Sequence, residues 1–283
     1  MAVTEETAAD AMTGHADPGR ADPGRAAWEV PDFRVIELSP RAHSIALVIP
    51  VINEGERIRR QIERIAALAP AVDVVIADGG STDGSLDEAF SRASTVRAVL
   101  VKTGPGRLSA QLRMAYAWCL DEGYDGIVTI DGNGKDGVEA IATFVERLRE
   151  GYDYVQGSRY LPGGVAENTP LDRFIAGRFL HAPVLSLAAR HWFTDTTNGF
   201  RAYSARYLRA PGVAPFRSVF NRYELLFYLT IRASRLGFRV GEIPVARRYP
   251  ANAPPPTKIA GWRGRFTIID ELFRVALGFF HPR

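Results

Sequence analysis

Asp131 and Asn133 stand two residues apart, directly after the β-branched run Gly126-Ile-Val-Thr-Ile130. Residues at i and i+2 of an extended segment point to the same side. Two oxygen ligands would therefore converge just beyond a strand end, with Gly132 leaving room for backbone approach. Hard cations such as Mg2+ or Mn2+ take oxygen ligands, commonly one or two carboxylates plus substrate phosphates. The plainer reading is a strand-to-helix turn with an N-cap Asp. Two further polar turns, at Asn53-Glu54-Gly55 and at Asp78-Gly-Gly-Ser-Thr-Asp-Gly84, also follow short apolar runs.

The elements that must position these turns alternate. Ser44–Pro50, Val72–Ala77, Arg97–Val101 and Gly126–Ile130 read as buried strands. Helical spacing follows them: Ile58, Ile62, Ile65 and Leu68 up to Pro70, then Leu108, Leu112, Ala115 and Cys119, then Val138, Ile141, Val145 and Leu148. Another helix is expected after the Asp78 loop. Alternating strands and helices imply an α/β fold, a Rossmann-like, mostly parallel sheet with helices on both faces. Ligands bind such sheets beyond the carboxyl ends of the strands, so Asn53, Asp78 and Asp131 should meet at one site.

Composition narrows the function classes. A chain of 283 residues, 46% hydrophobic and 24% charged, has ample core for one large domain. The net charge of +3 comes from dispersed rather than blocked Arg, which argues against nucleic acid and hints at a phosphate-bearing substrate. The single Cys119 excludes an internal disulfide and suits a reducing cytoplasm; it lies in an apolar pattern as a buried small side chain. Neither a secretory leader nor a membrane-length apolar run is visible, the 179–193 stretch being broken by His181, Pro183 and Arg190. His181, His191 and His281 lack metal-ligand spacing.

Taken together, Val48-Ile-Pro-Val-Ile-Asn-Glu54, Asp78-Gly-Gly-Ser-Thr-Asp83, Asp131-Gly-Asn133, Gly157-Ser-Arg-Tyr160 and Asp195-Thr-Thr-Asn-Gly-Phe-Arg201 resemble family 2 glycosyltransferases of the GT-A fold. The closer likeness is to the dolichyl-phosphate-mannose synthase-like branch, over residues 44–250. The resemblance implies a UDP- or GDP-sugar donor held by Pro50, Asn53, Glu54, Asp78, Gly80, Arg107, Asp131 and Gly132, with Asp78 contacting the base. It implies Mg2+ or Mn2+ near Asp131. Two departures stand out: Asn133 replaces the second carboxylate of a D-x-D pair, and Ile52 replaces an aromatic against the base. A neutral carbonyl attracts a dication less than a carboxylate does. Either Asp136 supplies the missing charge, or the chain relies less on metal and more on Arg.

Arg159 and Arg201 are candidates for gripping phosphate, since planar guanidinium forks match phosphate oxygens. The plain alternative for each is a salt bridge. Arg113 and Arg173 are weaker candidates. Asp195 is the candidate general base: a hydroxyl acceptor must lose its proton as it attacks the anomeric carbon. A phosphate acceptor is already largely ionised, with a second pKa of about 6, and Asp195 would then only orient its neighbours.

The organisation expected is a disordered tail at 1–27, a nucleotide-sugar-binding half at 28–160, an acceptor-side half at 161–250, and a Pro-rich connector with an amphipathic helix at 251–283. The tail carries the repeat Ala16-Asp-Pro-Gly-Arg20, Ala21-Asp-Pro-Gly-Arg25 and buries too little to order itself. On the last helix Trp262, Phe266, Ile269, Phe273, Ala276 and Phe280 form a stripe, read as a core or homodimer contact. The other use is a helix lying on a membrane, assisted by Arg263, Arg265 and Arg274, which would place the protein on the inner face of the bilayer. The function expected is inverting transfer of a sugar to polyprenyl phosphate or to a soluble hydroxyl-bearing small molecule. The rivals are an idle sugar-nucleotide-binding protein and a nucleotidyltransferase.

Overall fold

The computed structural model describes residues 24–87, 90–91, 94–251 and 261–282. Most of the expected N-terminal tail and the 253–256 connector lie outside the described residues, as does much of the helix expected after the Asp78 loop. Residues Arg25–Ala27 form a single short helical turn.

One eight-stranded sheet organises the described residues. Its strands are β1 (Phe33–Glu37), β2 (Ile45–Val51), β3 (Asp73–Asp78), β4 (Val96–Lys102), β5 (Gly126–Thr129), β6 (Tyr154–Ser158), β8 (Arg201–Ser204) and β9 (Val240–Pro244), in the order β1-β4-β3-β2-β5-β8-β6-β9. The block β4-β3-β2-β5 is parallel, as alternation with helices requires. Beyond β5 the sheet is mixed, because β8 runs antiparallel to both β5 and β6. The strand β8 comes from the chain's second half and sits between β5 and β6 of the first, so one sheet crosses residue 160. A second, two-stranded sheet pairs β7 (Val165–Glu167) with β10 (Ala246–Arg248).

Side-chain alternation divides the core into two layers. Along β2, Ala46 and Val48 face one layer while Ile45, Leu47, Ile49 and Val51 face the other. The second layer is closed by helix α1 (Glu56–Leu68), through Ile58, Ile62 and Ile65, and by α3 (Ile141–Arg149). The first is closed by α2 (Leu108–Asp121) and, behind it, α7 (Glu224–Arg235). In α2, Cys119 is fully buried, and burial pushes its thiol pKa up, so it serves as packing.

After β7 a long helical stretch runs through α4 (Leu171–Ile175), a wider π-type segment (Ala176–His181) and α5 (Ala182–Ala189). The widening precedes Pro183, which has no N–H to return to the preceding turn. A short helix α6 (Ala205–Arg209) is capped by Ser204, whose side chain accepts from Tyr207 N–H.

The C-terminal helix α8 (Gly261–Ala276) packs on α5 and α7. Among its described residues the buried apolar ones are Leu272 and Val275, with Ile268 beside them. The stripe read as a core or homodimer contact divides: Phe280 packs on the core and stacks on Phe220, whereas Phe266, Ile269 and Phe273 are exposed, and so are Leu277 and Phe279 just beyond the helix. Both faces of this helix carry apolar residues, so periodicity alone could not say which one packs.

Glu271 is the exception on the packed face. Burial, and then the nearby charge of Glu224, push its pKa up to about 7, against the opposing hydrogen bond from the Tyr223 backbone. The native state thus keeps a proton that the unfolded chain loses near its ordinary value of 4.5. Stability must fall as pH rises from that value toward 7, and the favourable contribution is absent above it. Glu271→Gln should therefore melt at the same temperature as wild type near pH 4.5, but several degrees higher at pH 8. Equal melting temperatures at pH 8 would show that Glu271 is not buried against α7.

Candidate active site

Three strand ends build one rim. Val51 at the end of β2 is level with Asp78 at the end of β3, and Ile130 N–H after β5 donates to Val48 O of β2. Asp78 and Asp131 therefore lie on the same edge with one strand between them, about 10 Å apart by strand spacing. Gln111 of α2 ties two of these ends together by donating to Val51 O and Ala77 O. Gln61 of α1 secures the third, donating to Asp131 O at 2.9 Å and accepting from Gly134 N–H at 2.9 Å.

The loops on this rim are partly self-satisfied. Asp78 is buried and accepts from Ser81 N–H (2.9 Å) and Ser81 Oγ (2.6 Å). Asn53, at φ 50°, accepts from Thr82 N–H, and Glu54 pairs with Arg57 at 2.9 Å. These contacts shape the turn and leave Ile52 exposed beside it. Gly80 is needed for its backbone, at φ +94°. Gly132 packs on the chain itself, because a Cβ there would lie 2.9 Å from Pro50 O. Arg107, exposed at the start of α2, is tied by its backbone to Asn221.

Asp131 sits in a nest of cations. Arg247 of β10 donates through Nη2 to Asp131 Oδ2 at 2.9 Å and through Nη1 to both oxygens of Asp136, at 2.8 and 2.6 Å. Lys135 is buried nearby, with its ammonium 4.9 Å from the centre of the Tyr249 ring, and Arg173 approaches the same ring. Burial alone would raise the Asp131 pKa, but Arg247 and Lys135 more than offset it and hold the carboxyl below its usual range. Burial and the Arg247 charge together lower the Lys135 pKa. Tyr249, despite its burial, is held below the usual phenol range by Arg247.

The expected metal trio does not converge in this arrangement. Asn133 turns its amide NH2 toward Asp131 Oδ2, at 3.3 Å, and its carbonyl accepts from Lys135 N–H. The Asp136 carboxylate is fully buried on Arg247. Among the described residues, no group of three Asp, Glu, His or Cys side chains could hold a metal ion. These residues do not fit a dication bound between Asp131, Asn133 and Asp136.

The second motif cluster forms the neighbouring wall. Asp195 is 2% exposed and pairs in two-pronged fashion with Arg159, at 2.7 and 3.0 Å, while also accepting from Thr197 N–H. Burial opposes its charge, yet Arg159 more than offsets that and leaves the Asp195 pKa below the usual carboxylate range. Such a carboxylate is a weak base at neutral pH. Arg201 requires a correction. It is fully buried, donating to the carbonyls of Thr196, Asn198 and Leu226 and to Thr230 Oγ1. Its guanidinium holds the 195–200 loop in shape from inside and does not reach the rim. His181 is buried and bonds Thr196 Oγ1 through Nδ1, and burial lowers its pKa to about 3.

The Asn53, Asp78 and Asp131 loops thus share one edge of the sheet. The model of the family described as "Glycosyl transferase family 2" matches residues 46–222, a span that holds the Asn53, Asp78, Asp131 and Asp195 loops. The chain belongs to glycosyl transferase family 2. It is similar to undecaprenyl-phosphate mannosyltransferase of Micrococcus luteus, 33% identical over 206 residues, which are 71% of this chain and 82% of that protein. It is likewise similar to polyprenol monophosphomannose synthase of Mycolicibacterium smegmatis, 29% identical over 70% of this chain and 75% of that protein. Glucosyl-3-phosphoglycerate synthase of Mycobacterium tuberculosis, solved with Mn2+, UDP and phosphoglyceric acid, shares the fold. Its TM-score is 0.60 at 21% identity, over 86% of this chain and 80% of that one. The protein is thus a glycosyltransferase, with the dolichol-phosphate mannosyltransferase-like branch as its nearer likeness.

In this glycosyltransferase, sequence reasoning missed Gln61, Gln111, Lys135, Tyr249 and Arg247. The two glutamines had a readable signal, since each is a polar residue on the packed side of a helix. Arg247 had none, lying 116 residues from Asp131.

Gly199 explains how Asp131 is placed. A methyl group there would overlap Asp131 Oδ1. Gly199→Ala should displace that carboxylate and lower sugar transfer about 10-fold or more, with little change in melting temperature. Unchanged turnover in a folded Gly199→Ala protein would show that the position of Asp131 does not matter to the reaction.

Proposed function

We propose that this glycosyltransferase moves a hexose, with inversion, from a UDP- or GDP-sugar to a polyprenyl phosphate at a membrane surface. The observation that carries the acceptor assignment is the Asp195–Arg159 pair. The one carboxylate expected to act as base is buried, ion-paired and held below its usual pKa. A hydroxyl acceptor needs a base, whereas a phosphate monoester, with a second pKa of about 6, brings its own nucleophilic oxygen. In the proposed step a phosphate oxygen of the acceptor attacks the anomeric carbon as the bond to the nucleoside diphosphate breaks. The negative charge left on the diphosphate meets the cations around Tyr249.

The surface supports the same reading. Leu171, Ile175, Phe179 and Leu187 are exposed along the α4–α5 stretch and Trp192 just after it, and Phe273 is exposed on α8, which packs on α5, with Leu277 just beyond α8. Monomeric soluble proteins rarely expose so many large apolar side chains on neighbouring elements, and a bilayer surface would cover them. Among the described residues, no helix is long and apolar enough to cross a membrane. The likeness to the two polyprenol-linked mannosyltransferases points to the same acceptor class and to a mannose-type donor.

The test offers labelled UDP- and GDP-hexoses to vesicles with and without undecaprenyl phosphate. Extractable sugar-lipid should appear only with the lipid phosphate; transfer confined to water-soluble hydroxyl acceptors would refute the proposal. Phe179→Ser with Leu187→Ser should cut vesicle binding and transfer to vesicle-borne acceptor, yet spare transfer to a short-chain, detergent-soluble prenyl phosphate. Asp195→Asn should lower the melting temperature, because it strands a buried Arg159. Its kcat–pH profile should keep the wild-type shape, where loss of a true general base would cost about 100- to 10,000-fold.

A further inference from the structure

We infer that Arg247 takes the place a divalent metal would hold beside Asp131, so that this glycosyltransferase grips the donor diphosphate on fixed cations rather than through a metal bridge. The inference rests on the proposed nucleotide-sugar donor. The guanidinium lies against Asp131 Oδ2 at 2.9 Å and against both oxygens of Asp136 at 2.6 and 2.8 Å. Its side chain is only 8% exposed, so it is not a surface Arg that happens to swing near a carboxylate.

The backbone holds it there. Strand β10 is zipped to the loop that follows Asp131: Gly137 N–H donates to Ala246 O at 2.8 Å, and Arg248 N–H donates to Lys135 O at 2.9 Å. Asp136 and Arg247 form a bridge pair between these hydrogen bonds. On its other edge β10 pairs with β7. The guanidinium is therefore positioned by main-chain pairing on both sides, as a preorganised charge must be if it is to stabilise a leaving group without rearranging.

The surrounding residues agree with a fixed cation. Asn133, which would be the second carboxylate of a metal pair, presents its NH2 to Asp131. A carboxylate there would add a negative charge that Arg247 does not need. Lys135 and Arg173 flank Tyr249 beside the same loop, which gives a diphosphate two further cations to bind. A dication placed on Asp131 would stand next to Arg247 and Lys135 and be repelled by both.

Calorimetry of UDP and GDP binding, with Mn2+ or with excess EDTA, tests this directly and needs no turnover. The wild-type protein should bind its preferred nucleotide equally well in both conditions, and Mn2+ should show no tight site by electron paramagnetic resonance. Because Arg247→Gln alone strands the buried Asp136, the informative variant is Arg247→Gln with Asp136→Asn. It should bind the nucleotide about 10-fold or more weakly in EDTA and recover affinity with Mn2+. Arg247→Lys, which keeps the charge but loses the fork, should fall between the two. Nucleotide binding by the wild type that vanishes in EDTA, or a double variant with unchanged affinity in EDTA, would overturn the inference. The absence of sugar transfer to any acceptor, with nucleotide binding as described, would instead count against the proposed function.

Discussion

Three buried guanidiniums hold this protein's working edge together, and each is held in turn by the oxygen atoms it organises. An unpaired charge cannot be buried cheaply; breaking one side of such a pair costs about 3–5 kcal/mol. Arg247 meets that constraint with two carboxylates, Arg159 with Asp195 and Thr197, and Arg201 with a ring of backbone carbonyls. The consequence is geometric. Asp131, Asp195 and the 195–200 loop are fixed relative to the sheet because each is the counterpart that keeps an arginine satisfied. The rim is stiff on its β10 and motif-loop sides, and the same ion pairs that stabilise it also set its charge.

That double role explains where sequence reading succeeded and where it stopped. The strand-turn-helix alternation up to Arg149 was legible, because β2, β3, β4 and β5 are short apolar runs ended by Gly-rich turns. From that alternation the meeting of Asn53, Asp78 and Asp131 on one edge follows. The strands β6 and β8 were not legible, since Gln156, Gly157 and Arg201 interrupt any apolar pattern. They can be strands because Gln156 and Arg201 satisfy their own polar groups inside the motif loop. A motif tells which residues gather, but not which of them faces the ligand. Arg201 and Arg159 look alike in sequence and both are buried; their partners separate them, backbone carbonyls for the guanidinium that shapes a loop and the Asp195 carboxylate for the other.

The C-terminal helix shows a different limit. Its apolar residues fall on two stripes, Ile268, Leu272 and Val275 on one side and Phe266, Ile269 and Phe273 on the other. A helical period identifies both stripes and ranks neither. Which of them packs is decided by α5 and α7, whose own apolar residues are far away in the chain. The exposed stripe is therefore a property of the assembled fold, and it is legible only once the neighbours are in place.

The cation nest and the C-terminal helix are linked through Tyr223. Tyr223, just before α7, lies within electrostatic reach of Asp131, Glu271, Arg107 and Arg173. Glu271 accepts from the Tyr223 backbone and stands on α8, whose outer face carries Phe266 and Phe273. A surface that engages α8 from outside therefore presses on the helix whose inner face carries Glu271, one residue away from the cation nest. If the acceptor is a lipid phosphate, its headgroup must enter between that surface and the nest, which requires the two to be adjacent. A soluble acceptor would impose no such requirement on the fold.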